Sequence, residues 1–305
     1  MAWRIIAASS RISGQARMKP IRQILFVPPA PLVWANAIDG FAGNGLAVET
    51  TQTLSSDQIG AGLADGTWDI GIGVVDNVIA WNDERKAGLK IIAQFERSTV
   101  MRFLCVPGYS TLADAAANVI AVDSTSNGFV LVLYRALARA GIDWRKCRFE
   151  RVGGVRQRFE AMQAGKAAAA ILVPPFDGMA RAQGFKQLWD GAEVAPHYPG
   201  VVAAARADWL GKNGAAAAAY VRAIKAANEW AARAENHVAA RAALVAARYS
   251  EDAAERLVRE RVPGLAPSRI GWDEVVTLRR ECGLLPAPEP RWDDVVEARF
   301  LAEAG

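Results

Sequence analysis

Apolar positions along this chain follow two alternating periods. Short apolar runs read as strands: 22–27, 46–50, 68–73, 90–95, 99–106, 118–122, 146–152, 167–173 and 201–205. Between them, apolar residues recur at three- and four-residue spacing, the mark of helices. Leu32, Ala35, Ile38 and Phe41 form one such stripe behind Pro31, which suits a first helical position. Ser55-Ser56-Asp57 can cap a second helix over 58–64. The stretch 129–140 is apolar on more than one face, which predicts a well-buried helix, and 155–164 predicts another. Strand, helix, strand, helix, strand therefore occurs twice, as expected for parallel sheets with helices packed on them.

The two halves echo one another. Leu63-Ala-Asp-Gly66 precedes the apolar run ending at Gly73, and Met162-Gln-Ala-Gly165 precedes the one ending at Leu172. Each glycine is placed to end a helix before a strand. Two similar α/β halves predict a cleft, and clefts hold ligands. The expected lobes are 20–98 plus 201–305, and 99–200. The strand at 99–106 is a candidate crossing between lobes, with a return at 201–205. Two crossings make a hinge. Beyond Asp208 the chain turns to alanine- and arginine-rich helices over 215–234, 238–249 and 252–261, with further helices expected at 271–282 and 292–304.

Composition narrows the function classes. The net charge of +4 comes from scattered arginines, without the clustered basic face a nucleic-acid partner needs. No apolar run approaches the roughly 20 residues of a membrane span. Three cysteines, Cys105, Cys147 and Cys282, and two histidines, His197 and His237, lie too far apart to suggest a metal centre, and no cofactor is expected. Residues 1–19 read as a flexible tail: Arg11 and Arg17 interrupt what would have to be the apolar stretch of a leader.

In open α/β sheets, ligands gather beyond the carboxyl ends of the strands. Four such ends supply candidates. The first carries Pro29 and Ala30, with Trp34 one turn into the helix as a stacking surface. The second carries Asp76 and Asn77. The third, Ser124-Thr125-Ser126-Asn127-Gly128, combines hydroxyls, a glycine and a helix start, which together favour an anionic head group. The fourth carries Pro175 and Phe176. His197 and Tyr198 lie in a proline-rich bend beside the hinge. Capping remains the competing role for Asp76, Ser126 and Asn127, and ordinary packing for the aromatic residues.

The order and the loops resemble the solute-binding proteins of ABC importers for nitrate, taurine, alkanesulfonates and thiamine-pyrimidine precursors. Leu63-Ala-Asp-Gly-Thr-Trp-Asp-Ile-Gly71 is similar to the leucine–glycine–aspartate step before that family's third strand. The 162–172 stretch followed by Pro174-Pro175 resembles its counterpart in the second lobe. Val202–Leu210, ending Arg206-Ala-Asp-Trp-Leu, resembles the return strand and the helix after it, and Leu278–Leu285 with Pro290–Leu301 the terminal stretch. The resemblance implies a two-lobed type II periplasmic-binding fold, each lobe a βαβαβ-type sheet with flanking helices, plus C-terminal helices. It further implies hinged capture of a small organic, anionic solute, an ABC permease as partner and a periplasmic location; without a leader in the chain as given, a cytoplasmic one stays open. The same fold carries enzymes, so a cofactor-free decarboxylase or related lyase is the alternative. Against it, the desulfinase type carries a cysteine in the first loop, where this chain has Pro28-Pro29, and the pyrimidine-synthase type a cysteine-rich stretch that is missing here.

Overall fold

A computed structural model describes residues 20–302, so the expected tail at 1–19 lies outside the described residues. Among the described residues, ten strands form two five-stranded sheets. The first sheet contains β1 (Ile21–Leu25), β2 (Val48–Gln52), β3 (Ile70–Gly73), β4 (Leu89–Gln94) and β10 (Val202–Arg206), in the order β2-β1-β3-β10-β4. The second contains β5 (Arg102–Cys105), β6 (Val119–Val122), β7 (Arg148–Arg151), β8 (Ala169–Leu172) and β9 (Lys186–Asp190), in the order β7-β6-β8-β5-β9. In each, three parallel strands meet one antiparallel strand supplied from across a crossing: β10 runs against β3, and β5 against β8. The two lobes are thus built on one plan. β3 and β8 are buried along their whole length, which explains their unbroken small and apolar sequence.

Helices of eight residues or more are α1 (Ala30–Ala37), α2 (Ser56–Ala64), α3 (Val75–Arg85), α4 (Val130–Arg139), α5 (Val155–Gln163), α6 (Gly214–Trp230), α7 (His237–Ala246), α8 (Glu251–Arg259) and α9 (Arg269–Cys282). Gly66 and Gly165 close the turns after α2 and α5 with φ of 84° and 67°, a conformation that favours glycine. Ser250 and Ser268 accept from the amides of Ala253 and Gly271 and so start α8 and α9.

Three differences from the sequence expectation have simple causes. β5 does not bridge the lobes: its backbone is fully paired with β8 and β9, and the crossing is the loop before it. The helix expected at 292–304 is broken, because Val296 forms a bridge to Ile91 and the Glu297 amide donates to the Ile91 carbonyl at 2.8 Å. The C-terminal segment is not confined to the first lobe. α9 lies in the seam, where its Arg279 pairs with Asp76 of α3 at 2.8 Å and its Glu281 with Arg135 of α4 at 2.7 Å.

Candidate functional site

The carboxyl ends of β1, β3, β6 and β8 converge on a cavity of about 160 Å³ between the lobes. A water needs about 10–15 Å³ on this measure, so there is room for a solute of about ten non-hydrogen atoms. Phe26 and Val27 enter after β1, Val74 and Asn77 after β3, Asp123, Ser124 and Asn127 after β6, and Val173 after β8. Phe129, just before α4, and Leu133 on it line the cavity, and α8 adds Arg256. The wall is mostly apolar, so its few polar groups decide what it accepts.

Arg158 is the most telling of these groups. It sits on α5 with Val155, Phe159 and Met162, on the face turned inward, and is only 5% exposed. Its Nε is buried without a hydrogen-bond partner, and no described carboxylate pairs with its guanidinium. Burial pushes its pKa down to about 10, partly countered by the charge of Asp123, so it remains a cation at neutral pH. Its Cζ lies 5.8 Å from the Phe129 ring centroid, a weak cation–π contact. A buried cation without a counter-charge is costly. An anion in the cavity removes that cost.

Ser124 and Asn127 are buried on the cavity wall, and Gly128 adopts a φ of 75° at the head of α4. Glu96, in the crossing after β4, forms part of the same wall. Burial pushes its carboxyl up to about 7, and the nearby charge of Arg256 opposes that only in part.

Of the residues singled out from sequence, Asn77, Ser124, Asn127 and Gly128 line the cavity. Thr125 is exposed, and its contribution is a carbonyl that accepts from the Tyr134 hydroxyl at 2.9 Å. Ser126 turns outward to Glu84 at 3.3 Å. Trp34 is fully enclosed in the core under α7, where its Nε1 donates to the Ala240 carbonyl at 2.9 Å. Pro29 and Ala30 are buried at the start of α1, and Phe26 and Val27 take the cavity positions expected of them. Pro175 lies one step past Pro174, which lines the cavity, and Phe176 packs on Phe159 with centroids 5.9 Å apart. His197 is exposed on the return crossing. Tyr198 is buried behind Phe129, edge to face at 6.3 Å, and desolvation raises its pKa.

Asp76 has a different task from the one expected. It is fully buried, pairs with Arg279 and accepts from the Gly128 amide of the opposite lobe. Burial pushes its carboxyl up against the pull of both partners. Around it the lobes are joined at further points: Asn77 Nδ2 donates to Asn127 Oδ1 at 2.8 Å, the Gly154 amide to the Leu54 carbonyl at 2.8 Å, and Arg151 pairs with Asp57 at 2.6 Å. The structure therefore shows the cleft closed. At the hinge the two crossings touch, since a Cβ on Gly200 would come within 2.4 Å of Glu96.

Arg158 and Glu96 were missed because neither stands in a recognisable loop motif. Arg158 left one trace: a charged residue on the apolar stripe of its helix, where only a paired or functional charge is tolerated.

The NMT1-like family model matches residues 23–246. The chain belongs to the NMT1-like family. Comparison with curated proteins finds no match. Among solved structures, the NMT1-like chain is similar to the ligand-binding component of an ABC-type import system from Staphylococcus aureus, at 15% identity and a TM-score of 0.74 over 94% of this chain and 99% of that one. It is also similar to a Candida albicans protein with the generic periplasmic-binding-protein fold, at 14% identity and a TM-score of 0.73 over 92% and 96%. A third is the alkanesulfonate-binding protein from Xanthomonas axonopodis pv. citri bound to MOPS, at 16% identity and a TM-score of 0.72 over 92% and 99%. At such identities the likeness establishes the two-lobed periplasmic-binding fold.

Proposed function

We propose that this protein reversibly captures a small organic anion between its lobes and acts as the solute-binding component of an ABC importer. The observation that carries this is Arg158, a buried guanidinium without a protein partner, facing a cavity otherwise mostly apolar. Asn77, Ser124 and Asn127 add polar groups to the same wall, and Gly128 lets the backbone approach closely. The importer role rests on family membership and on structural neighbours that are an import-system ligand-binding component and an alkanesulfonate-binding protein.

The test is a thermal-shift screen of the purified chain against sulfonates, aromatic and aliphatic carboxylates, nitrate and pyrimidines, with mass spectrometry of each stabilised mixture. Stabilisation with the compound recovered unchanged is the expected result. A new product mass would replace capture with catalysis, and stabilisation by neutral compounds alone would remove the anion assignment.

A further inference from the structure

Arg158 accounts for only one pole of the cavity. Glu96 lies on the same wall, and its carboxylate enters no hydrogen bond or ion pair among the described residues. The positive charge that reaches it belongs to Arg256, whose Nη1 is engaged with Glu260 at 3.1 Å. Arg158 and Glu96 are of opposite sign and border one space, yet they do not pair. Ile72, Val74, Val122, Phe129, Val173 and Val201 contribute apolar wall to the same space.

The position of Glu96 is well defined. Gln94 Nε2 donates to its carbonyl at 2.9 Å, and Gly200 of the return crossing is seated against its backbone. A carboxylate held at the hinge, half-buried and unpaired, is costly unless something donates to it. We propose that Glu96 is a specificity-determining residue that accepts a hydrogen bond from an N–H or O–H end group of the ligand. The ligand is then a small acid with an anionic end on Arg158, an apolar middle and an ammonium or hydroxyl on Glu96. This rests on the anion-capture function proposed above and adds the second pole. Burial that pushes the Glu96 carboxyl up to about 7 is consistent, because a seated donor restores its charged form.

The test compares acids matched in length and differing at one end: ω-aminopropanesulfonate, ω-hydroxypropanesulfonate and butanesulfonate, together with the corresponding carboxylates. Affinities are measured by calorimetry on the full chain, on Glu96→Gln and on Arg158→Met. Donor-ended acids are expected to bind the unaltered protein at least about tenfold tighter than methyl-ended ones, the value of one well-made hydrogen bond to a charged group. Glu96→Gln should abolish most of the ammonium preference, so that the ratio of donor-ended to methyl-ended affinities falls toward one. The comparison within the unaltered protein stands even if a variant fails to fold. Methyl-ended acids binding as tightly as their donor-ended partners, with Arg158→Met still abolishing binding, would overturn the role of Glu96 and leave anion capture intact. Failure of every acid in both series to bind the unaltered protein would overturn both.

Discussion

Arg158 and Glu96 carry charge into a confined space at a cost to the ligand-free protein, and each cost is measurable. Arg158→Met replaces a buried unpaired cation with an apolar side chain of similar reach. Anion affinity should fall at least about 30-fold, while ligand-free stability holds or rises by about 1–2 kcal/mol. Calorimetry and thermal melts on one preparation read both; loss of stability without loss of affinity would make Arg158 a structural residue. Glu96 makes a pH-dependent statement. Its folded carboxyl sits near 7, above the value of an unfolded glutamate, so the folded state holds its proton longer. Its effect on stability is nil at low pH, grows as a penalty while pH rises from the unfolded value toward 7, and is complete above that. Glu96→Gln should therefore raise the melting temperature at pH 8, by about 1–2 kcal/mol in stability, and leave it unchanged near pH 4. A constant offset at both pH values would contradict this.

At the scale of elements, α1 shows how one residue can read two ways. Trp34 follows the first strand at the position where a ligand-stacking ring would stand, but α7 covers it and takes its indole hydrogen bond at Ala240. Trp34→Phe should cost about 1–2 kcal/mol, through the lost hydrogen bond and a smaller ring, and leave the affinity of the folded protein unchanged. A large fall in affinity at unchanged stability would return Trp34 to the site. α5 is the opposite case. Its periodicity marks a packed helix, and Arg158 on the packed face lines the cavity.

For the molecule as a whole, function depends on how readily the closed arrangement opens. Arg151–Asp57 is a partly exposed pair between the lobes, with a value of about 0–1 kcal/mol. Arg151→Ala should lower ligand affinity less than about fivefold. It should also enlarge the radius of gyration of the ligand-free protein in small-angle scattering, an enlargement that saturating ligand reverses. Gly200→Ala should act more strongly, since its Cβ would meet Glu96 at 2.4 Å and push the crossings apart. A normal scattering profile for Gly200→Ala, with normal affinity, would show that the contact between crossings does not govern closure.

The sequence by itself determined the doubled strand–helix order, the glycine turns at Gly66 and Gly165 and the loop from Ser124 to Gly128 as a candidate for the cavity wall. All of these rest on local chemistry: period, propensity and the backbone freedom of glycine. Only the tertiary structure decided that Asp76 joins the lobes through Arg279 and Gly128, that α9 lies in the seam, that Trp34 is core, and that Arg158 and Glu96 face one cavity. The physical reason is that a side chain's role at such positions depends on its partners. Those partners lie on other elements, often in the other lobe, at separations where a single sequence carries no periodic signal.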